Sequence, residues 1–313
     1  MITDTPFDLQ CSDEVGEAMA QNQPLVALET TIISHGLPYP TNLEVALACE
    51  DAVRQSGAVP VTIGIVGGDI KYGLSHDELE LFANPEFSVL KVSSRDIGMA
   101  VSAGRSGATT VAGTLALASL MSITVMATGG LGGVHRGASE SFDESADLVA
   151  LGSRRHVVVA AGVKSILDIG ATLERLDTLS VAVVGYGVDR FPGFYRRETE
   201  FALDWSSNDA EEIAGAAHTH FQLNHSSLVV ANPIPREHEL PEDLHDQALA
   251  EGLRRVAERG VTGKAVTPVL LSAFAELTEG RSVEANTALV VNNCRVAGDI
   301  AVAYRAQQWQ FNG

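Results

Sequence analysis

Apolar residues occur along the chain in short continuous runs, and each run ends in glycine or in polar residues. The runs cover residues 24–31, 59–68, 89–94, 123–130, 156–162, 179–187 and 227–233. Strands that are buried on both faces of a mostly parallel sheet show this continuous hydrophobicity. Stretches with helical spacing lie between the runs, at 42–55, 165–176 and 243–260. This alternation predicts an α/β fold with an open, mostly parallel central sheet, helices on both faces and a helical C-terminal part.

The boundaries between these elements carry two further predictions. Ser165 and Asp168 have the spacing of a capping box, which predicts that a helix starts at Ser165. No linker rich in Pro or Ser divides the chain, and no internal repeat is visible. We therefore expect a single domain over residues 1–313.

The segment from Ala108 to Val134 contains no Asp, Glu, Lys or Arg, and it is long enough to span a bilayer. It also carries several Ser and Thr residues and ends in a glycine-rich run, and no second span accompanies it. A buried helix at about 112–121, followed by a buried strand at about 123–127, explains the segment better than membrane insertion does.

The charge balance excludes some classes of partner. The chain of 313 residues has 21 Lys and Arg against 40 Asp and Glu, a net charge of −19. Such a protein has no basic surface for nucleic acid or for an anionic membrane. An anionic substrate must therefore be bound by a locally basic pocket.

The three cysteines, Cys11, Cys49 and Cys294, are scattered and show no metal-ligand spacing. This usage argues against a disulfide framework and a structural zinc site, and it is typical of a reducing compartment. The acidic, polar start of the chain has no apolar signal region. We therefore expect a cytoplasmic protein.

Lys164 follows the apolar run at 156–162 directly. Surroundings of low dielectric constant disfavour a charged amine, and the positive end of a helix starting at Ser165 would disfavour it further. A partly neutral amine can attack a carbonyl or acetal carbon and form an imine. The alternative is a lysine that reaches into solvent and has no chemical role.

Glu29 follows the apolar residues of the first run in the same way. A carboxyl at the end of a hydrophobic strand tends to have a raised pKa, which suits a general acid or base. The alternative is a structural carboxylate that accepts backbone N–H groups or pairs with an arginine.

Two further stretches could take part in chemistry. The run GGLGGVHRG (129–137) offers backbone N–H groups and two basic side chains, which suits a phosphate cradle, although it does not match a dinucleotide-binding or P-loop motif. Asp143 and Asp147 have no adjacent histidine, which favours a hydrated Mg²⁺ or Mn²⁺ over zinc. The alternative for the glycine-rich run is an ordinary turn, and the alternative for the two aspartates is the acidic start of a helix.

The sequence also contains longer, non-generic strings, among them LETTIISHGLPYPTN (28–42), KVSSRDI (91–97), ATGGLGGVHRGA (127–138), AGVKSILDIGATLERL (161–176), ANPIPRE (231–237) and EANTALVVNN (284–293). Together these strings resemble the pseudouridine-5′-phosphate glycosidase, or indigoidine synthase A-like, family. The resemblance runs in order from about Leu25 to Ala303, which is nearly the whole chain.

The resemblance implies reversible cleavage of the C–C glycosidic bond of pseudouridine 5′-phosphate to uracil and ribose 5-phosphate, through a lysine imine with the ring-opened ribose. By position, it implies that Lys164 is the nucleophile, Glu29 the proton donor and Asp143 the carboxylate associated with manganese. It also implies substrate contacts at Lys91, Val111, His135, Ser145, Ala146, Asp147 and one of Asn286, Asn292 and Asn293. The family similarity further implies a homotrimer.

The chain departs from the family pattern at three positions: Ser94 stands where we expect a basic residue, Glu144 where we expect an apolar one, and Ala160 where cysteine is common. The first departure puts one anionic contact in doubt. A lysine-imine aldolase or lyase that acts on another sugar phosphate is the alternative function, because it would use the same residues. A sugar-phosphate sensor without catalysis is a further alternative, but the sequence shows no basic helix or effector module for it.

Overall fold

The computed structural model describes residues 9–261 and 266–311. The strands in this part of the chain are β1 (Leu9–Cys11), β2 (Leu25–Leu28), β3 (Val59–Val66), β4 (Asp69–Tyr72), β5 (Leu90–Val92), β6 (Gly107–Thr109), β7 (Val125–Ala127), β8 (Val157–Ala160), β9 (Ala182–Tyr186), β10 (Ser206–Ser207) and β11 (Leu228–Ala231).

The α-helices of the same residues are α1 (Asp13–Ala20), α2 (Thr41–Gln55), α3 (His76–Ala83), α4 (Ile97–Ser102), α5 (Val111–Leu120), α6 (Ala138–Ser141), α7 (Ala146–Ser153), α8 (Ile169–Thr178), α9 (Ala210–Leu223), α10 (Glu242–Arg259), α11 (Val266–Leu277) and α12 (Arg281–Phe311). Short helical turns at 32–36, 94–96 and 236–238 complete the regular structure described.

The strands form one open sheet in the order β1-β4-β3-β2-β7-β8-β11-β9-β10, and β6 pairs with both β3 and β5. From β3 through β2, β7, β8, β11 and β9 to β10, every pairing is parallel. The antiparallel pairings join β3 to β4 and to β6. The predicted class, an open and mostly parallel α/β sheet, is therefore confirmed.

The central strands are buried on both faces, as their continuous hydrophobicity predicts. Along β8, Val157 and Val159 face one hydrophobic core, whereas Val158 and Ala160 face the other. One core is completed by α2, α9 and α12, and the other by α1, α5, α7 and α8. The helical C-terminal part thus covers one face of the sheet with α12.

Strand β3 belongs to two parts of the sheet. Its first half, Val59–Thr62, pairs in parallel with β2, and at Gly64 and Ile65 it pairs with β6 in the antiparallel direction. Thr30, just beyond the end of β2, joins the two parts, because its hydroxyl donates to the Ile63 carbonyl (2.9 Å) and accepts from the Thr109 N–H (2.8 Å). A cleft therefore opens where the carboxyl end of β2 faces the carboxyl end of β6.

The segment without charges forms α5 and β7, which confirms the expected buried helix and strand. Within the described residues, no helix is long and apolar enough to cross a membrane.

The predicted helix start at Ser165 is wrong. Helix α8 begins at Ile169, and its N-cap is Asp168, whose Oδ1 accepts the Ala171 N–H at 3.0 Å. Residues before Asp168 instead run alongside the loop after β7, where Lys164 N–H donates to the Leu131 carbonyl (3.1 Å). This non-local pairing prevents the first turn that the local capping pattern favours.

Candidate active site

The carboxyl ends of neighbouring parallel strands place the candidate catalytic residues at one edge of the sheet. Glu29 follows β2 directly, Thr128 follows β7 directly, and Lys164 lies in the loop after β8. These three strands are adjacent in the order β2-β7-β8. In open α/β sheets this edge is where ligands bind.

Two cavities adjoin at this edge, and they share Glu29, Thr31, Lys91, Lys164 and Ile166 in their walls. The first, of about 640 Å³, has mostly apolar walls and is called the apolar cavity here. Its other lining residues are Ile32, His35, Gly36, Gly129, Gly130, Ser165, Phe194, Tyr195, Leu271, Phe274 and Asn286.

The second cavity, of about 1150 Å³, has more polar walls and is called the polar cavity here. Its other lining residues are Ser93, Arg95, Asp96, Thr110, Val111, Gly132, His135, Asp143, Glu144, Ser145, Ala146, Asp147 and Leu167. The predicted nucleophile and the predicted proton donor therefore stand at the boundary between an apolar and a polar space.

Glu29 is only 8% exposed, and the Thr128 hydroxyl donates a hydrogen bond to its Oε1. Burial raises the pKa of the Glu29 carboxyl, against the opposing effects of Lys164, the Thr128 hydrogen bond and Lys91. Asp147 raises this pKa further. A carboxyl in these surroundings holds its proton to higher pH than an exposed one, which is what a general acid needs.

Lys164 is held by the backbone rather than by a helix end. Two loops lie side by side: Leu131 N–H donates to the Gly162 carbonyl (3.0 Å), and Lys164 N–H donates to the Leu131 carbonyl (3.1 Å). The argument from a helix dipole next to Lys164 is therefore wrong, because α8 starts five positions later at Ile169. The amine lies in the walls of both cavities, at a half-buried position.

Asp147 fixes the shape of the polar cavity from behind. Its buried carboxylate accepts the Ala112 N–H at the start of α5 through Oδ1, and the Gly132 N–H through Oδ2, each at 2.9 Å. Both carboxylate oxygens are thus engaged with the protein backbone. Ser145 caps α7 in a similar local way, because its hydroxyl accepts the Asp147 N–H (3.2 Å).

The glycine-rich run 129–137 lines both cavities, and three of the N–H groups that the phosphate-cradle prediction relies on are engaged by the protein itself. Gly132 N–H donates to Asp147, Val134 N–H to the Thr172 hydroxyl (2.9 Å) and Leu131 N–H to Gly162. These donors are consumed by the protein, so the run serves to position side chains.

The remaining predicted contacts line the walls of the polar cavity. Lys91 is on β5, and Val111 and Ala146 are the first residues of α5 and α7. His135 Nδ1 and Asp143 Oδ2 are 3.9 Å apart, and both side chains are partly exposed.

The residues around Asp143 allow one kind of metal site. Within residues 9–261 and 266–311, no group of three or more His, Cys, Asp or Glu side chains could enclose a metal ion. A single carboxylate at a solvated rim, with an imidazole nearby, fits a hard cation that keeps most of its water ligands. It does not fit a cation enclosed by protein ligands.

The three candidate asparagines occupy different places. Asn286 lines the apolar cavity, and its buried Oδ1 accepts no hydrogen bond from the described residues. Asn293 lies behind the site, where its amide donates to the Thr128 carbonyl (2.7 Å) and its Oδ1 accepts from Asn232 (2.8 Å). The Oδ1 of Asn292 accepts a hydrogen bond from the guanidinium of Arg295 at 3.4 Å. Of the three, only Asn286 is placed to meet a ligand directly.

Comparisons with known proteins show the family to which the chain belongs. The model of the family described as indigoidine synthase A like protein matches residues 14–303. The chain belongs to this family.

Relatives within the family are similar over almost their full length. A pseudouridine-5′-phosphate glycosidase of Salinispora tropica is 52% identical over 306 residues, covering 97% of this chain and 94% of the relative. One of Clostridium botulinum is 47% identical over 295 residues, covering 94% and 96%.

Solved structures show the same fold. A prealnumycin C-glycosynthase in complex with ribulose 5-phosphate superposes with a TM-score of 0.90 at 37% identity, covering 98% of this chain and all of the other. An indigoidine synthase A-like protein of Thermotoga maritima gives a TM-score of 0.86 at 36% identity, covering 96% and 98%.

The structure shows the surroundings of the three positions at which the chain departs from the family pattern. Beside Ser94, the Arg95 side chain lines the polar cavity; it is 76% exposed, and its Nε lies 3.6 Å from Asp96. Glu144 pairs with Arg175 at 2.9 Å. Ala160 is fully buried at the end of β8. Arg95 thus offers a cation near the position where the expected basic residue is missing.

The sequence assigned no role to two residues of the site. Thr128 holds the carboxyl of Glu29 and His35 lines the apolar cavity, but neither has a distinctive local pattern. Burial, and then Lys91, lower the pKa of His35, so this imidazole favours its neutral form. The position of Thr128 at the end of a strand next to β2 is the one signal that could have indicated it.

Proposed function

We propose that this chain reversibly cleaves the C–C glycosidic bond of pseudouridine 5′-phosphate to give uracil and ribose 5-phosphate. One observation carries the proposal: Glu29 and Lys164 together line the boundary between an apolar cavity and a polar one. A nucleotide has the same division, with a planar base at one end and a phosphate at the other. The names of relatives at 47–52% identity support this choice of substrate.

The chemistry begins with Glu29 and Lys164. A C–C glycosidic bond has no heteroatom leaving group, so hydrolysis by two carboxylates is poorly matched to it. The Lys164 amine attacks the anomeric carbon while Glu29 gives its proton to the departing ring oxygen, which opens the ribose. The nitrogen then loses a proton and has a lone pair for the next step.

Cleavage uses that lone pair. As the bond between the anomeric carbon and the base carbon breaks, the nitrogen forms a C=N bond with the sugar, and the base carbon takes a proton from water, which balances the proton that the nitrogen gave to water. The imine is the electron sink that makes this cleavage possible. Water then adds to the imine and releases ribose 5-phosphate from Lys164, so one water molecule is consumed overall.

The base is expected in the apolar cavity. Tyr195 packs edge to face on Phe194 and at a tilt on Phe274, with centroid distances of 4.7 Å and 5.1 Å, and the three rings form an apolar wall there. The unpartnered Oδ1 of Asn286 can accept an N–H of uracil, which would remove the cost of burying a lone acceptor.

The phosphate is expected in the polar cavity. Besides Lys164, its basic side chains are Lys91, Arg95 and His135, and helix α7 begins there at Ala146 with its positive end. These local donors would attract the phosphate although the protein as a whole carries a net charge of −19. Binding of the phosphate supplies energy that holds the reacting carbon between Lys164 and Glu29.

We also propose that Asp143 holds a divalent cation, Mn²⁺ or Mg²⁺, through its carboxylate and bound water. When present, such a cation adds positive charge at the rim of the polar cavity, where anionic oxygens of the substrate are expected. The solvated carboxylate of Asp143 beside His135 supports this assignment.

One experiment separates this function from an aldolase or lyase that acts on another sugar phosphate. The protein is incubated with ribose 5-phosphate and Mn²⁺, with and without uracil, and products are followed by chromatography. A C-nucleotide that forms only with uracil supports the proposal. Consumption of ribose 5-phosphate that does not depend on uracil supports the alternative. The Lys164→Ala variant serves as the control for both reactions.

The expected homotrimer, cytoplasmic location and single domain over 1–313 stay predictions from the sequence. Size-exclusion chromatography with light scattering tests the trimer directly.

A further inference from the structure

A small cavity, called the cavity behind Glu29 here, shares Glu29, Ile32 and Gly129 with the walls of the apolar cavity and extends from them among buried core residues. Its walls include Glu29 and Thr128 at the ends of β2 and β7, Thr62 on β3, and Cys49 and Cys294 on α2 and α12. It has room for about one water molecule, which needs a few polar partners to be stable there. The Glu29 carboxyl and the hydroxyls of Thr62 and Thr128 can be those partners.

A second buried carboxyl lies at the far side of this cavity. The Thr62 hydroxyl donates to Glu50 Oε1 at 2.5 Å, and both side chains are buried, at 2% and 7% exposure. Glu50 Oε2 lies 3.3 Å from Arg54, whose side chain is 40% exposed. A chain of polar groups thus runs from solvent through Glu50 and Thr62 to the cavity behind Glu29.

We propose that Glu50 and Thr62 form a proton relay that returns a proton to Glu29 during turnover, through one water molecule in the cavity between Thr62 and Glu29. This inference rests on the proposed function of Glu29 as proton donor. Glu50 and Thr62 touch no substrate cavity in the described structure, so they act through Glu29 as positioning and relay residues.

The reaction creates the need for such a path. Once Glu29 has given its proton to the ring oxygen, it is a carboxylate in a buried site, and substrate fills the cavities in front of it. The ionised form is disfavoured there, because burial raises the pKa of Glu29. Proton return from behind restores the neutral form without requiring the substrate to leave.

The relay conserves atoms and charge. When Glu50 takes up a proton, its hydrogen bond with Thr62 reverses, so that the Glu50 carboxyl donates to the Thr62 oxygen and the Thr62 hydroxyl turns to donate to the water. Protonated Glu50 then gives its proton to the Thr62 oxygen while the Thr62 hydroxyl gives its own proton to the water. The water in turn gives a proton to the Glu29 carboxylate. The net change moves one proton from Glu50 to Glu29, and solvent then protonates Glu50 again.

The charges around Glu50 allow it to hold and release a proton. Burial raises its pKa, whereas Thr62 on β3 and Arg54 on the same helix lower it. Glu14 on α1, which also pairs with Arg54 at 2.8 Å, raises it. The thiols of Cys49 and Cys294 face the same region from α2 and α12.

The first test compares two substitutions of Thr62. Thr62→Val keeps the shape of the side chain and removes the hydroxyl, so we expect kcat to fall about tenfold or more, KM to stay unchanged and the solvent deuterium isotope effect on kcat to rise. Thr62→Ser keeps the hydroxyl and should restore kcat to within about twofold of the wild-type value, with an unaltered isotope effect. Ser227→Ala removes a buried hydroxyl that donates to the Arg154 carbonyl, at the amino end of β11, and controls for a general loss of packing.

The second test changes Glu50, so the relay can still be tested if the Thr62→Val protein does not fold. Glu50→Gln should lower kcat and raise the isotope effect in the same way. The matched control is Glu14→Gln, because Glu14 shares the Arg54 partner but does not touch the cavity behind Glu29. Unchanged kcat and isotope effect in the folded Thr62→Val and Glu50→Gln proteins would overturn the relay.

An infrared measurement separates failure of the relay from failure of the proposed function. The carboxyl C=O band of Glu29, identified by its loss in Glu29→Gln, reports the hydrogen bonds of this group without any substrate. We expect Thr62→Val to shift the band and Thr62→Ser and Ser227→Ala to leave it in place. A band that Thr62→Val does not move overturns the relay even if the wild-type protein acts on pseudouridine 5′-phosphate, and a band that moves supports the cavity link even if that substrate is wrong.

Discussion

Thr128 donates a hydrogen bond to the buried carboxyl of Glu29 from a position 99 residues further along the chain. The contact exists because β2 and β7 are neighbours in the sheet and end at the same level. It fixes one oxygen of the carboxyl, so the orientation of the proposed acid is set by the ends of two strands.

Glu29→Gln should make the folded protein more stable while it abolishes turnover. Burial raises the pKa of Glu29, so the folded state binds this proton more tightly than the unfolded state does. The protein therefore loses stability as the pH rises above the usual carboxyl value of 4.5, and glutamine removes that loss. We expect a gain of about 1 kcal/mol in the free energy of unfolding at pH 7 and a smaller gain at pH 4, measured by urea denaturation.

The control for Glu29→Gln is Glu14→Gln, because Arg54 lowers the pKa of Glu14 and the sign is opposite. This change should destabilise the protein slightly at pH 7, since the pair is partly exposed. If the gain from Glu29→Gln were the same at both pH values, an ionisable buried Glu29 would not be its cause.

Lys164→Ala should keep the fold and abolish turnover, because the side chain that forms the imine is gone. Lys164→Arg should fail equally, since a guanidinium stays protonated and is a poor nucleophile. Borohydride added during turnover should attach the sugar to the peptide that contains Lys164, as seen by mass spectrometry. Lys71→Ala is the control, because Lys71 lies on β4, outside both substrate cavities, and pairs with Glu78 of α3.

Two results would change the assignment of the nucleophile. Near-normal rates for Lys164→Ala would contradict the imine mechanism. A label on Lys91, which lines the same two cavities, would exchange the roles of the two lysines.

Removal of divalent metal should strongly lower activity, and Mn²⁺ or Mg²⁺ should restore it. Asp143→Asn should weaken metal binding, so that a higher metal concentration is needed for the half-maximal rate. Glu144→Gln is the adjacent control, because Glu144 pairs with Arg175 instead. Full activity after exhaustive chelation, with no metal left by elemental analysis, would count against the cation.

Pseudouridine without its phosphate should be a far poorer substrate, by about a hundredfold or more in kcat/KM, because remote binding energy positions the reacting carbon. Lys91→Ala and Arg95→Ala should reduce the preference for the phosphorylated substrate. Arg154→Ala, at a basic side chain that lies outside both substrate cavities, is the matched control. Equal efficiency for nucleoside and nucleotide would refute the phosphate assignment.

Asp147→Asn should destabilise the protein by about 2 kcal/mol, because an amide has one acceptor where the carboxylate serves both Ala112 and Gly132. Activity should fall as well, since those two N–H groups set the shape of the polar cavity. Thermal unfolding and steady-state rates measure the two effects. The exposed Asp177→Asn is the control, and equal behaviour of the two variants would show that the double contact is unimportant.

Much of the fold was predictable because hydrophobicity is a local property. The run at 156–162 became β8, and the uncharged segment became α5 and β7. Short strands such as β6 (Gly107–Thr109) were not predicted, since their pairing with β3 comes from a distant part of the chain. Ser165 was misplaced for the same reason: its local capping pattern lost to hydrogen bonds between two loops.

The site was predictable where a residue stands at a strand end or within a long family motif. Glu29 and Lys164 meet both conditions, and the structure brings them to one boundary. The roles of Asp147 and Asn293 depend on backbone groups far away in sequence, so no spacing could show that they hold loops in place.

Strand β3 pairs with β2 along its first half and with β6 along its second half, and the two parts of the site follow this division. Glu29 and Lys164, the proposed acid and nucleophile, follow the carboxyl ends of parallel strands, whereas Lys91, Arg95 and Val111 belong to the segment around β5 and β6, which pairs with the second half of β3. One continuous strand thus supports both parts of the site. On the proposed function, Arg95 can be substituted to alter binding of the anionic end of a substrate without touching the strand ends that position Glu29, so this exposed side chain is the place to engineer acceptance of differently charged sugars.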